Sequence, residues 1–452
     1  MNLKKQTLLY AVSVLSVTPA FAQKTWSLSD CLSYAESNNI QIQQAQQTAL
    51  SSEEDVKTDK AAFFPSLTFS TGHNWYWTQE GTTIVSGTGA NSQITGTKNP
   101  TYNGSYNLNM SVTLYDGLSN VNTLKQSRLQ HQSDMYSAEK TTNNIRIQII
   151  QAYYQILYAH ESVLTNQEIL EVAGRELDRT KSKLEVGKCS KLDVAQMESQ
   201  YQQNYYSLVN AQNTEASNIL SLKQLLQLDT ADDFGIDYRS FSDDDVLAMS
   251  PSVEEAQRLA LDYLPDMKAA ELDVQSAGLS VKIAKASYQP TLSLQAGMST
   301  SSGNTRYDSS GKQIGVGTQL GDNLNESVGL SLSVPIWDGR RTRSSVNKAK
   351  IAQATATLNQ SDTRLQICNT ISTLHLDIQS AQARYESAVK SEAAAKESFE
   401  LMEQRYGEGL ESVVDLLTEK NTYLQARQET LQSKFTALLN LRLMDFYTGV
   451  GQ

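Results

Sequence analysis

The chain has 452 residues, with 38 Lys and Arg against 49 Asp and Glu, a net charge of −11 and a mean hydropathy of −0.42. These values exclude a bundle of membrane-spanning helices, each of which needs about 20 consecutive apolar residues, and the negative charge argues against nucleic acid as a partner. Seven prolines leave 101–250 and 336–452 free of proline. Since proline costs about 3 kcal/mol in a helix interior, both stretches are open to very long helices.

Residues 1–22 read as a signal peptide. Lys4 and Lys5 precede an apolar run from Leu8 to Val17, and Ala20-Phe21-Ala22 supplies the small residues of a cleavage site. Beyond it the chain repeats itself, giving two expected units, 23–250 and 251–452. Ser27 with Asp30 and Ser252 with Glu255 are matching helix starts, each a capping serine with an acid three residues on. Phe64-Pro65 corresponds to Gln289-Pro290. Tyr115-Asp116-Gly117 and Trp337-Asp338-Gly339, Gly187 and Gly409, and Asp193 and Asp415 share one offset of 222 positions.

Each unit reads as helix, strand, loop, strand, very long helix, turn and long helix. The strands are expected at about 66–80, 102–116, 291–302 and 326–337. They alternate with period two: Leu108, Met110, Val112 and Leu114 point one way and Asn107, Asn109, Ser111 and Thr113 the other. Val328, Leu330, Leu332 and Val334 repeat this against Ser327, Gly329, Ser331 and Ser333, while Thr71 and His73 interrupt the apolar side of the first strand. Aromatic residues gather at the margins in Trp75, Tyr76, Trp77, Tyr102, Tyr115 and Trp337. Intervening loops, 81–100 and 302–325, are rich in Gly, Ser, Thr and Asn. An exported chain with strands of this length, one polar face and aromatic margins fits a membrane barrel better than a soluble sandwich. Four strands cannot close a barrel, so this reading requires an oligomer.

The helical hairpins are expected at about 118–228 and 339–448. Ile149, Ala152, Ile156, Ala159, Val163, Asn166, Leu170, Ala173, Leu177, Thr180 and Leu184 step by three and four, and Leu374, Ile378, Ala381, Tyr385, Ala388, Glu392, Ala395, Phe399, Met402 and Tyr406 do the same. Small and polar residues fill much of these seams, which leaves open a filled coiled coil or a ring of helices around water. The hairpins reverse at Val186-Gly187-Lys188 and Gly407-Glu408-Gly409, where glycine permits the turn.

Order and duplication together resemble the TolC-type outer-membrane efflux channels over essentially the whole chain after residue 22. The carrying motifs are Tyr/Trp-Asp-Gly at the strand-to-helix junctions, Pro65 and Pro290 at strand entry, and Gly tips followed by Leu192-Asp193-Val194 and Val414-Asp415-Leu416. The resemblance implies a mainly α fold with membrane β: a homotrimer whose four strands per subunit make a twelve-stranded barrel in outer-membrane lipid. That barrel continues into a periplasmic α-helical barrel of coiled-coil hairpins. It further implies an exit duct that catalyses no reaction; from the residues themselves no cofactor or metal is expected. Its partners are a periplasmic adaptor (membrane fusion protein) and an inner-membrane pump of RND or ABC type, in a Gram-negative bacterium.

The resemblance also places a gate. The segment from Tyr406 to Thr418 looks like the family's inner hairpin, whose tyrosine contacts the aspartate beyond the other tip, here Asp193. Asp415 matches the first acid of a constriction, Thr418 stands where a second acid is common, and Glu411 replaces a basic residue. The tips Val186, Gly187, Lys188, Gly407, Glu408 and Gly409 are where the adaptor would dock. Set against these roles, an Asp just inside a helix is often a dipole partner and a heptad Tyr is often packing. Asp232, Asp233 and Asp243 to Asp245 form an acidic connector, most simply solvated, whose spacing lacks the calcium-loop pattern. Three scattered cysteines and four unpaired histidines define no metal site or disulfide framework. The alternative from another class is a soluble periplasmic coiled-coil adaptor or scaffold, which has no need of four amphipathic strands.

Overall fold

A computed structural model describes residues 25–80, 82–86, 93–229 and 234–450. The expected signal peptide lies outside the described residues, as do Asp232 and Asp233. The chain opens with β1 (Thr25–Trp26), α1 (Leu28–Asn38) and α2 (Ile40–Ala61). There follow β2 (Ser66–Tyr76), a short hairpin of β3 (Thr82–Ser86) and β4 (Gln93–Lys98), and β5 (Thr101–Tyr115). The first helical hairpin is α3 (Ser119–Glu185) with α4 (Lys191–Leu226), and a connector carries β6 (Gly235–Ile236) and α5 (Asp243–Val246). Next come α6 (Val253–Tyr263), α7 (Pro265–Ala286), β7 (Thr291–Gly303), α8 (Val316–Asp322) and β8 (Asn325–Ser333). The second hairpin is α9 (Arg341–Glu408) with α10 (Val413–Thr448). Lengths recur: 11 residues in α1 and α6, 22 in α2 and α7, 67 and 68 in α3 and α9, 36 in α4 and α10.

Local chemistry explains these boundaries. Ser27 caps α1 in a reciprocal box with Asp30, and Ser252 caps α6 by accepting from the Glu255 amide. Pro265 begins α7 at a position where its missing N–H costs nothing. β8 ends at Ser333, short of the expected 337, because Pro335 has no N–H to continue a ladder. Sequence reading missed the β3–β4 hairpin and α8, both inside segments expected to be loops.

By internal contacts the chain forms two compact units, each drawing on both halves of the sequence. The first takes residues 25–39, 144–250 and 374–445. Its core is the helix seams: Ile149, Ile156, Ala159 and Leu177 of α3 and Ile378, Ala381, Tyr385 and Phe399 of α9 are buried. β1 pairs in parallel with β6, seating Trp26 and Ile236 inside. Asp243, Asp244 and Asp245 of the connector are exposed, as expected, yet the segment that carries them is also bound by α9 and α10. Tyr385 donates to Asp243 at 2.6 Å, Gln382 bonds the Val246 and Ala248 carbonyls, and Lys434 bonds the Phe241 carbonyl at 2.8 Å. Burial, and then Asp243, hold the Tyr385 hydroxyl above the usual phenol range. The attachment arises because Ile236 and Val246, flanking the acids, are buried and half-buried Phe241 lies between them.

The second unit takes residues 40–143, 251–373 and 446–450. It contains an antiparallel sheet in the order β2-β5-β7-β8. Register aligns the apolar residues across all four strands: Phe69 opposes Leu108, Leu108 opposes Met298, Ala296 opposes Val328 and Leu294 opposes Leu330. This face is exposed, with Val328 at 79% and Leu67 at 68%. The reverse face carries Ser, Thr, Asn and Gln, such as Thr68 opposite Asn109 and Ser111 opposite Gln295. Gln319 of α8, 2% exposed, closes the end of β7 by accepting from the Gly303 amide and donating to the Gly303 carbonyl.

The strand-to-helix corners are built alike. Gly117 (φ 70°) and Leu118 (φ 68°), and Gly339 (φ 63°) and Arg340 (φ 68°), are consecutive left-handed pairs. Asp116 then accepts from the Asn120 amide at 2.8 Å and Asp338 from the Thr342 amide at 2.7 Å, supplying partners at each helix start. An alanine at Gly339 would meet nothing within 4 Å and should cost only the left-handed penalty, about 1–2 kcal/mol. At Gly117 its Cβ would also lie 2.6 Å from Gln289 Cβ and 2.8 Å from the Ala286 oxygen. Gly117→Ala should therefore lower the thermal unfolding midpoint more than Gly339→Ala; equal midpoints would contradict the close packing of that corner.

Candidate functional site at the helical tips

The two hairpin tips lie in the first compact unit and are built by the same local rules. Gly187 (φ 71°) ends α3: its amide bonds the Leu184 carbonyl at 3.0 Å, and the Lys188 amide bonds the Lys183 carbonyl at 2.8 Å. Gly409 (φ 79°) ends α9 with the same two bonds, Gly409 to Tyr406 at 3.1 Å and Leu410 to Arg405 at 3.0 Å. Both are Schellman turns, which need a residue that adopts the left-handed region without strain. Past each turn a serine starts the return helix. Ser190 accepts from the Asp193 amide while Asp193 Oδ2 accepts from the Ser190 amide at 2.7 Å. Ser412 accepts from the Asp415 amide and its hydroxyl donates to Asp415 Oδ2 at 2.6 Å.

Asp193 and Asp415 are thus both third-position capping residues. Within the single chain Tyr406 and Asp193 share no hydrogen bond, and Tyr406 turns inward. Tyr406 is buried in an apolar cluster with Leu177, Met197, Phe399, Val413 and Leu416, and its hydroxyl lies 3.5 Å from Thr180 Oγ1. Glu411 pairs with Arg405 across its own turn at 2.6 Å, so the acid standing where a base was expected is neutralised from within its hairpin. Thr418 is exposed and bonds the Val414 carbonyl one turn back at 2.9 Å. Asp415 is exposed, half of its chemistry spent on the cap. Val186, Gly187, Lys188, Glu408 and Gly409 are exposed and Gly407 half-buried, with Leu192, Leu410 and Val414 forming a further exposed apolar set beside them.

Two features of the tips escaped the sequence reading. Lys183 Nζ donates to the Tyr406 carbonyl at 3.2 Å and lies 4.1 Å from the Tyr406 ring centroid, placing a cation against the C-terminal end of α9. Desolvation, and then the Arg179 guanidinium, pull its ammonium below the usual lysine range. Deeper in, Lys420 donates to Glu176 at 2.7 Å, with side chains only 2% and 10% exposed. Glu176 Oε1 has no partner in the chain. The signal was present: Lys420 continues the step Val413, Leu416, Lys420, Tyr423, and Glu176 adjoins seam residue Leu177.

No helix among the described residues is long and apolar enough to cross a membrane, and no cluster of His, Cys, Asp and Glu among them could hold a metal. Long capped hairpins joined to a four-stranded sheet with an exposed apolar face define the fold of outer-membrane channel proteins. A family model described as outer membrane efflux protein matches residues 31–227 and 257–445, and the chain belongs to that family. It is 25% identical over 320 residues to outer membrane protein TolC of Escherichia coli, an alignment covering 70% of this chain and 63% of that protein's length. The fold matches the solved structure of CusC with a TM-score of 0.79 at 16% identity, covering 94% of this chain and 92% of that one. Against VceC of Vibrio cholerae the TM-score is 0.75 at 15% identity, covering 93% and 96%.

Breaking a buried ion pair by removing one partner costs about 3–5 kcal/mol, whereas replacing both by apolar residues is often neutral. Lys420→Met should accordingly speed amide hydrogen exchange at the tips, and Lys420→Met with Glu176→Met should restore most of the protection. Unchanged exchange in the single variant would mean that water already reaches the pair.

Proposed function

We propose that this protein is the outer-membrane exit duct of a tripartite efflux or type I secretion system in a Gram-negative bacterium. Three copies make a twelve-stranded barrel in outer-membrane lipid and a periplasmic barrel of helical hairpins, and the two halves of each chain descend from one duplicated unit. A periplasmic adaptor meets the exposed tips, an inner-membrane pump of RND or ABC type supplies the energy, and the duct itself catalyses nothing. The observation that carries this reading is the sheet: four strands with an exposed apolar face, a polar reverse face and two open edges. A soluble adaptor or scaffold would bury such a face. Family membership and the exposed Val186, Leu192, Leu410 and Val414 at the tips support the remainder.

Within this duct, Tyr406 and Asp193 hold the closed state and three copies of Asp415 form an acidic ring that favours cations. Recovery in the soluble periplasm on fractionation would overturn the duct. In planar bilayers, Asp193→Ala combined with Tyr406→Phe should raise single-channel conductance, and Ser190→Ala, which removes only the cap, should not. Equal behaviour of the two variants would assign Asp193 to capping alone. Asp415→Asn should shift the reversal potential in a salt gradient toward zero; an unaltered potential would retire the ring.

A further inference from the structure

The two open edges of the sheet each carry a polar interruption on the apolar face. On β8 that face reads Glu326, Val328, Leu330 and Leu332, since Glu326 opposes Met298, which opposes Leu108, which opposes Phe69. Glu326 is exposed and, while its backbone pairs in the β7–β8 ladder, its carboxylate makes no hydrogen bond or ion pair with the other described residues. On β2 the same face reads Leu67, Phe69, Thr71, His73 and Trp75. His73 Nδ1 lies 2.7 Å from the Tyr102 hydroxyl and Nε2 lies 3.2 Å from Thr71 Oγ1. Its ring stacks on Tyr102, with centroids 6.0 Å apart, and meets Tyr106 edge-on at 5.5 Å. One edge thus offers a bare carboxylate and the other a held imidazole flanked by hydroxyls.

How these edges meet follows from two conditions, given the closed barrel of the preceding section. Rotation about the barrel axis brings β8 of one copy against β2 of the next in the antiparallel sense that every other neighbour in the sheet has. Hydrogen bonding all nine residues of β8 to the eleven of β2 permits three registers, with Glu326 opposite His73, Asn74 or Trp75. Continuity of the apolar face removes Asn74, because a slip of one residue turns every side chain to the other face. His73 then stands directly across from Glu326 or, in the remaining register, one step diagonal to it, within about 8 Å in either arrangement.

We propose that Glu326 of each copy pairs with the partner's His73, accepting a hydrogen bond from the imidazole or its neighbouring hydroxyls, so that each junction of the barrel is marked by one such pair. An unpaired carboxylate at a lipid boundary is costly. The pair removes that cost only when the correct edges join in the correct register, so it specifies the closure as well as stabilising it.

The test uses the full chain with Cys31, Cys189 and Cys368 changed to Ala, in native membranes. Mild oxidation, or a short bismaleimide, should link copies into a covalent trimer in Glu326→Cys with His73→Cys, or in Val328→Cys with His73→Cys for the alternative register. The control Ser327→Cys with His73→Cys, which belongs to the excluded register, should stay unlinked. Separately, Glu326→Lys with His73→Lys should lower the fraction of heat-resistant trimer in SDS at least tenfold, and the exchange Glu326→His with His73→Glu should retain it. A trimeric mass in detergent without either expected link, or with the control link, overturns the pairing and leaves the trimer standing. A monomeric mass for the unaltered chain overturns both.

Discussion

Peptide groups at the rim of the four-stranded sheet impose the constraint on which everything else in this molecule turns. The helical segments satisfy their own backbone, and the interior pairs of the sheet satisfy one another, but the outer sides of β2 and β8 do not. In water such groups are solvated; in hydrocarbon each one left unmade costs several kcal/mol. Since the face beside them is apolar and exposed, water is a poor home for it as well. A chain built this way is unfinished alone. Closure with further copies answers both demands, and from the proposed closure follow the hollow interior, the polar reverse face as its lining, and the long hairpins as its continuation.

The tips obey a different economy, in which each turn is specified by residues within about six positions of it. The same aspartate that the family resemblance assigns to a gate also completes a capping box, and at Ser190 and Ser412 the cap geometry accounts for both acids without any second role. The two roles are compatible. A carboxylate has about four acceptor sites, and the cap uses only part of them. Tyr406 is more committed: with its ring in the apolar cluster and its carbonyl bonded by Lys183, moving it means opening the packing between hairpins. Lys420 and Glu176 add resistance to that movement, since their separation would leave a buried charge unpaired.

Much of this was legible in the amino-acid sequence because it rests on period. The heptad steps locate the buried seam residues from Ile149 to Tyr406, and the alternation in Leu108 to Leu114 fixes which side of the sheet is apolar. Gly187 and Gly409 mark the tips because few other residues take their backbone angles. What escaped is what period does not encode. The β3–β4 hairpin and α8 are short and polar, and α8 meets β7 through Gln319 on Gly303 and the Leu320 carbonyl on Thr300. The connector's acids are exposed as read, but no local pattern announces that Tyr385 and Lys434, far along the chain, bind it. Lys183 acts on Tyr406 across a separation of 223 positions, a relation no local motif announces. Thr71 and His73 were visible as breaks in an alternating strand, and their meaning waited on the register that set them and Glu326 on the same face.

The corners at Asp116 and Asp338 carry one more implication. Each is self-contained, with its left-handed pair and its carboxylate locking the strand to the helix within five residues. The other ends of the strands have no such corners; they are joined by loops, and residues 308–312 make a tight exposed turn around the Asp308 carboxylate. There the register is held by side chains instead, Gln319 on Gly303 and Asn304 on Tyr102 and Pro100, so the exposed stretch between those clamps is free to vary in length and composition with little penalty to the framework. A peptide tag grafted between Ser309 and Ser310 would be carried in that stretch.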